Sequence, residues 1–346
     1  MTLPATMRAL QLQGIEQLVE VRLPVPRPKP DEVLVRTVAT TICTSDLNDI
    51  ARNPFGIALP RVMGHEGAGL VAALGEGLNR FQVGERVTAH PVIPCRACEN
   101  CQRGLGHLCS NLGHLGLDRD GTFAQFFCIR GDRVRRIPAG VEFAAAALLE
   151  PVAVCLEAVQ RGRIQPGETV LVVGDGPFGL LIARLALGRG PRKVIVAGRH
   201  DFRLQQVPAA VAINERRVPD MLQAIRQAND RRGVDVAVMA AGSPSAVELG
   251  LASLRARGRL VLFSAVNGPA SVDWFRLHTQ ELEILGACND QDLIDAALER
   301  LGDAQLGLAP LVTHRLPFAR WPHAFELARR GKDQALKVAL MVGEET

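Results

Sequence analysis

Thr169-Val170-Leu171-Val172-Val173-Gly174-Asp175-Gly176-Pro177-Phe178-Gly179-Leu180 is the stretch that decides the fold. Thr169 to Val173 is a compact buried strand, too short and too uniformly apolar for a solvated sheet face. A Gly-x-Gly-x-x-Gly turn follows at once, and residues 180–187 continue as an apolar helix. That context, strand before and helix after, gives the glycine pattern its meaning as a dinucleotide turn. Gly174 makes the turn, Gly176 admits a pyrophosphate, and Gly179 lets helix and strand pack closely. Pro177 and Phe178 lie within the turn as cofactor-binding candidates, and the free N–H groups and dipole of the helix that follows favour phosphate at its N-terminus.

Outward from this turn the same rhythm continues. Val194-Ile195-Val196-Ala197, Val234 to Met239 and Arg259 to Phe263 read as further strands, with helical stretches between them. Strands alternating with helices predict a parallel α/β sheet. The first 150 residues read differently. They are rich in Gly and Pro, with short strands at 33–38, 69–74 and 86–89, and predict an irregular, mostly β domain. Residues 143–161 predict a helix that Pro151 bends or interrupts. After about residue 290 come two helices, 291–301 and 321–330, with a strand-like 311–314 between them. A final apolar run, 336–342, is expected to return to the first domain. The predicted division is thus 1–150 with 290–346, and an inserted dinucleotide-binding domain at 151–289.

The 346 residues carry 40 Lys and Arg against 36 Asp and Glu, and the basic residues are scattered, with no clustered stripe to suggest a nucleic-acid surface. No apolar run is long enough to span a membrane, and the first residues have no secretory apolar core. A cytoplasmic, soluble protein acting on a small molecule is expected.

Cys95, Cys98, Cys101 and Cys109 form C-x2-C-x2-C-x7-C. Four thiolates at such spacing can converge on one ion. A closed tetrahedral zinc shell leaves no position for substrate, so this site is expected to be structural. An iron–sulfur cluster shares the ligand chemistry. A nucleic-acid-binding zinc ribbon lacks an accompanying basic or aromatic surface. A second set of ligand types is scattered: Cys43 in Cys43-Thr44-Ser45-Asp46, His65-Glu66 within Gly64 to Gly69, and Glu150 before Pro151. Cys, His and carboxylate supply three protein ligands, and a catalytic zinc keeps a fourth position open for substrate.

In these motifs, taken together and in this order, the chain resembles the zinc-containing medium-chain dehydrogenase/reductase superfamily over its whole length. The resemblance implies a GroES-like catalytic domain with an inserted doubly wound Rossmann domain. It implies catalytic zinc on Cys43 and His65, with Glu66 and Glu150 as ligands or one of them held just behind. Ser45 matches the family's relay hydroxyl, and Asp46 would orient His65. The Glu150-Pro151 pair resembles the sorbitol and threonine dehydrogenase branches, where the classical alcohol dehydrogenases have a second cysteine. Asn48 stands where some relatives have a relay histidine. Proton release would therefore use water, the cofactor ribose or a group such as Glu66.

The expected reaction is reversible oxidation of a secondary alcohol (a polyol, sugar or cyclitol) to a ketone. An amino-alcohol or simple alcohol dehydrogenase using NAD is the alternative, and a non-catalytic binder retaining the fold is a third reading. On the cofactor, the acid that an NAD enzyme places at the end of the second strand falls on Gly198. Arg199 follows, with His200 and Arg203 nearby, and arginine can grip a 2′-phosphate. NADP is therefore predicted, with Asp201 as the acid in the alternative. By resemblance, Ala241, Ser264, Ala265 and Ala287 flank the ribose and nicotinamide. The segment 203–211, short and broken by Pro208, departs from the family's longer helix. A homodimer or homotetramer is expected, as in relatives.

Overall fold

The computed structural model describes residues 3–331 and 334–343. The chain divides into two compact units, Met1–Val152 with Gln291–Thr346, and Ala153–Asp290.

The first unit is built on a seven-stranded sheet. In spatial order it runs Val134–Arg136, Arg86–Ala89, Glu66–Leu74, Glu32–Thr41, Lys337–Met341 and Val312–Pro317, with Phe126–Arg130 also pairing with Glu32–Thr41. The strands are largely buried, and a core that includes Val33, Val35, Val71, Phe81, Val87, Phe127 and Ile129 packs against them. A second cluster around Leu10, Ile42, Ile50, Met63, Phe123, Phe325 and Leu340 joins the helices Thr44–Arg52 and Trp321–Arg330 to this sheet. The final apolar run does return to the first unit: Lys337–Met341 pairs antiparallel with Glu32–Thr41 and parallel with Val312–Pro317.

The second unit is a six-stranded parallel sheet in the order Val211–Asn214, Lys193–Gly198, Thr169–Val173, Val234–Met239, Leu254–Leu262 and Glu283–Gly286. The first-sequence strand lies centrally and the order reverses around it, as a doubly wound sheet requires. GroES-like and Rossmann architectures are both present, as expected.

Three local expectations shift. The helix expected over 143–161 is two helices, Phe143–Ala146 and Leu149–Arg161. Pro151 lies in the first turn of the second helix, where its missing N–H costs nothing, so the break falls before it. The Gly-rich turn enters its helix earlier than expected, at Pro177. Arg203 lies in a short helix, Asp201–Leu204, and the segment after it ends in an unforeseen edge strand, Val211–Asn214, on the Lys193–Gly198 strand.

Candidate active site and dinucleotide turn

Strand register assembles one end of the first sheet. Thr41 pairs with Glu66 and Ala339 pairs with Thr41. Three adjacent strands therefore bring Cys43, His65-Glu66 and Lys337 together, although Glu66 and Lys337 are 271 residues apart in sequence. Cys43 is the N-cap of the Thr44–Arg52 helix, and the Asp46 carboxylate accepts the Cys43 N–H at 2.9 Å. The other oxygen of Asp46 lies 3.2 Å from His65 Nδ1. Ser45 Oγ lies 3.5 Å from His65 Nε2. One helical turn thus presents a thiol, a hydroxyl and a carboxylate to a single imidazole.

The ligand atoms of Cys43, His65 and Glu66 lie within 4.8 Å of one another, and all three residues are buried. That donor set, a thiol, an imidazole and a carboxylate, fits a zinc with an open position. Glu150 is buried in the first turn of the Leu149–Arg161 helix and falls outside this close group. Burial presses the His65 imidazole toward neutrality, but the charge and hydrogen bond of Asp46, and then Cys43, outweigh it and raise its pKa well above the usual. His114 does the opposite. Its ring is 5.5 Å from that of His65, and burial, then the charge of His65, pushes its pKa down to about 3.

Lys337 is the site residue that sequence reasoning misses. Its ammonium is 2% exposed and binds both oxygens of the fully buried Glu66, one at 2.6 Å. Thr41 Oγ1 donates to Glu66 Oε2 as well. Burial opposes the charge on Lys337, yet Glu66, Cys43 and Glu150 raise its pKa overall. One faint signal was present: Lys337 is the sole charge in an otherwise apolar strand. Asn48 points elsewhere, accepting a hydrogen bond from Arg52 at 3.1 Å.

The four-cysteine lobe is self-contained. The four sulfurs lie within 4.8 Å of one another, with Cys95 to Cys101 at 4.0 Å and Cys98 to Cys109 at 3.7 Å. Thiolates 2.3 Å from a tetrahedral zinc stand about 3.8 Å apart, so the spacing fits that ion. Backbone N–H groups of Ala97 and Cys98 donate to Cys95 Sγ, and those of Cys95 and Asn111 to Cys109 Sγ. N–H donation from Cys101 and Ser110 brings Cys98 down to about 6, while burial and then the neighbouring thiols push Cys101 up to about 12. Four thiols this close cannot all ionise unless a cation compensates them.

In the second unit the dinucleotide turn has the required openness. Gly174 has φ +124°, and a Cβ on Gly179 would lie 2.1 Å from the Gly174 carbonyl oxygen. A Cβ on Gly176 would meet nothing within 4 Å, leaving room above the N-terminus of the Pro177–Leu187 helix. The ring of Phe178 rests 5.4 Å from that of Phe263. Around this turn the strand-end loops touch: Ala240 N–H donates to Val173, Asn267 N–H to Gly242, and Ala287 N–H to Leu262. Ala241, Ser264 and Ala265 belong to these loops and Ala287 is buried beside them. Arg199 pairs with Glu215, while Arg203 follows on the short Asp201–Leu204 helix.

Comparison with known proteins decides the family. Residues 29–139 match the model of the alcohol dehydrogenase GroES-like domain, and residues 177–301 that of the zinc-binding dehydrogenase. The sorbitol dehydrogenase of Bacillus subtilis is 33% identical over 97% of this chain and 98% of its own. The chain belongs to the zinc-containing medium-chain dehydrogenases. Within that family it falls in the sorbitol and threonine dehydrogenase branch. The L-threonine 3-dehydrogenase of Pyrococcus abyssi is 34% identical over 95% of this chain and 96% of its own. A solved zinc-binding dehydrogenase of Sinorhizobium meliloti, bound to NADP, superposes with a TM-score of 0.93 at 25% identity, covering 98% of this chain and all of that one. The dehydrogenase has no described helix long and apolar enough to cross a membrane.

Proposed function

We propose that this dehydrogenase oxidises a secondary alcohol of polyol, sugar or cyclitol type to a ketone, with zinc at Cys43 and His65. The observation that carries the reading is the convergence of Cys43, His65 and Glu66 beside the Ser45 hydroxyl. Cys43 and His65 would hold the zinc, which would supply a Lewis acid for the substrate oxygen, and the glycine turn would hold a nicotinamide dinucleotide, which would supply the hydride acceptor. The chain's own residues do the rest. Ser45 is placed to take the substrate's proton. Asp46 holds His65 in one orientation, so that its other nitrogen faces Ser45. Lys337 pairs with the buried Glu66 and competes for both its oxygens. Glu150, the remaining carboxylate, is then the ligand that completes the set or holds a water beside it. His114, its pKa pushed down by burial, adds an uncharged wall to the site. The Cys95, Cys98, Cys101 and Cys109 lobe holds a second, structural zinc.

Glu150-Pro151 and the sorbitol dehydrogenase relative support a polyol; the equally similar threonine dehydrogenase supports an amino alcohol instead. On the cofactor, Arg199 and Arg203 favour NADP, the form held by the Sinorhizobium relative, while a neighbouring carboxylate favours NAD. Steady-state rates across polyols, cyclitols, threonine and simple alcohols, with metal analysis of the same preparation, test the whole reading. Turnover of polyols with two zinc ions per chain is expected. Activity confined to threonine or primary alcohols replaces the substrate class, and a chain with one zinc and no turnover overturns the catalytic site.

A further inference from the structure

Gly198 ends the second strand where an acid is expected, and its bare backbone suggests a place cleared of negative charge. The structure fills that place from the glycine-rich turn after the neighbouring strand. A Cβ on Gly198 would lie 2.4 Å from Asp175 Cβ, 2.7 Å from its Cγ and 2.8 Å from its Oδ2. Residue 198 is side-chain-free because the side chain of Asp175, from inside the glycine-rich turn, already occupies the space.

The Asp175 carboxyl group is buried and its Oδ2 is held by three donors. The backbone N–H groups of Arg199 and His200 reach it at 2.8 and 2.7 Å, and His200 Nδ1 at 3.0 Å. Two successive N–H groups turned to one point make an anion-binding nest. Here the chain's own carboxylate sits in it. The other nearby acid, Asp201, is turned away: it binds Arg217 and, at 2.7 Å, Asn214. Arg199 spends its Nε on Glu215. A phosphate arriving at the end of this strand meets a fixed negative charge and donors already used. A hydroxyl arriving there meets an acceptor.

We propose that Asp175 is the cofactor-selecting residue, standing in for the missing strand-end acid and favouring the dinucleotide with a free 2′-hydroxyl, NAD, over its 2′-phosphorylated form. This rests on the reading of the glycine turn as a nicotinamide-dinucleotide site. Arg199 and Arg203 then serve as surface charges on the adenosine side rather than as a phosphate clamp.

Calorimetric titration of the full-length, zinc-loaded protein tests it without turnover, using NAD, NADP, 5′-AMP and 2′,5′-ADP as probes. The wild type is expected to bind NAD at least tenfold more tightly than NADP, and 5′-AMP more tightly than 2′,5′-ADP. Asp175→Asn keeps an acceptor for the two N–H groups and removes the charge. It is expected to shift the NAD-to-NADP ratio at least tenfold toward NADP, with an unchanged melting temperature. A wild type that prefers NADP overturns the proposal and leaves the dinucleotide site standing. A ratio unmoved by Asp175→Asn also overturns it. Binding of none of the four probes overturns the dinucleotide reading and this proposal with it. Should Asp175→Asn not fold, the wild-type ratios for the dinucleotide pair and the fragment pair still decide.

Discussion

The two cysteine-bearing sites of the first unit are built by opposite logics. The lobe draws four like ligands from fifteen consecutive positions, steadied by N–H donors of the same loop. The Cys43–His65 site draws unlike ligands from segments held together by strand register, and borrows a lysine from the far end of the chain. A closed, local site can only hold a fold together. An open site needs groups that stay charged, unshared and correctly aimed, and these come from wherever the sheet can supply them.

The largest separation between the two should come from single cysteine changes. Cys43→Ala is expected to cost 10⁴-fold or more in kcat/KM, over about 5 kcal/mol of transition-state stabilisation. The melting temperature should move little, and bound zinc should fall from two ions per chain to one. Cys101→Ser should do the reverse first. It loses the lobe's ion and the folding energy tied to it, so thermal stability drops before chemistry is touched. Equal stability losses in both variants would erase the distinction.

Lys337→Met comes next. It leaves the Glu66 carboxylate buried without its cation, a change worth about 3–5 kcal/mol of stability. Zinc should restore part of that loss, because Glu66 is then free to turn to the metal. Chemical denaturation with and without zinc reads both effects. A Lys337→Met, Glu66→Leu double variant should recover most of the stability but not the activity, since apolar pairs replace buried ion pairs at little cost.

What could be read from sequence follows the same divide. The lobe and the glycine turn are local patterns, so residue spacing alone carries them, and so does the alternation of strands and helices. Cys43, His65, Glu66 and Glu150 are a scattered set of ligand types in sequence, and only resemblance gives each its role, because each alone is an ordinary buried residue. Lys337 lay beyond reach for a physical reason: its partner is fixed by the register of a strand that crosses back from the end of the chain. Asp175 was hidden the same way. It fills the space at Gly198 across two neighbouring parallel strands, a relation that no one-dimensional spacing expresses. The edge strand Val211–Asn214 escaped because four residues after a proline give too short a pattern.

A smaller effect tests the relay inside the open site. Ser45→Ala should lower kcat about 10²-fold, in line with loss of one positioned proton acceptor. KM and zinc content should hold. Ser45→Thr, which keeps a hydroxyl, should recover much of the rate. A rate loss matched by zinc loss would make Ser45 a support of His65 rather than an acceptor.

The smallest effect concerns Asp49, one turn along the same helix as Ser45. It is 2% exposed, and its Oδ1 has no hydrogen-bond partner among the described residues. Burial, then the charge of Asp46, pushes its pKa up to about 6. An acid with a raised folded-state value binds its proton more tightly when folded. The penalty is therefore absent below about pH 4, the unfolded value, grows as pH rises from 4 to 6, and is complete above 6. Asp49→Asn should remove it. Stability should rise by about 1–2 kcal/mol at pH 7.5 and by nothing measurable at pH 4. The gain should be larger in zinc-stripped protein, because a cation at Cys43 and His65 offsets the charge of both acids. If Asp49→Asn gives the same gain with and without zinc, the open site is not electrostatically organised around its ion, and the contrast between the two sites reduces to ligand count.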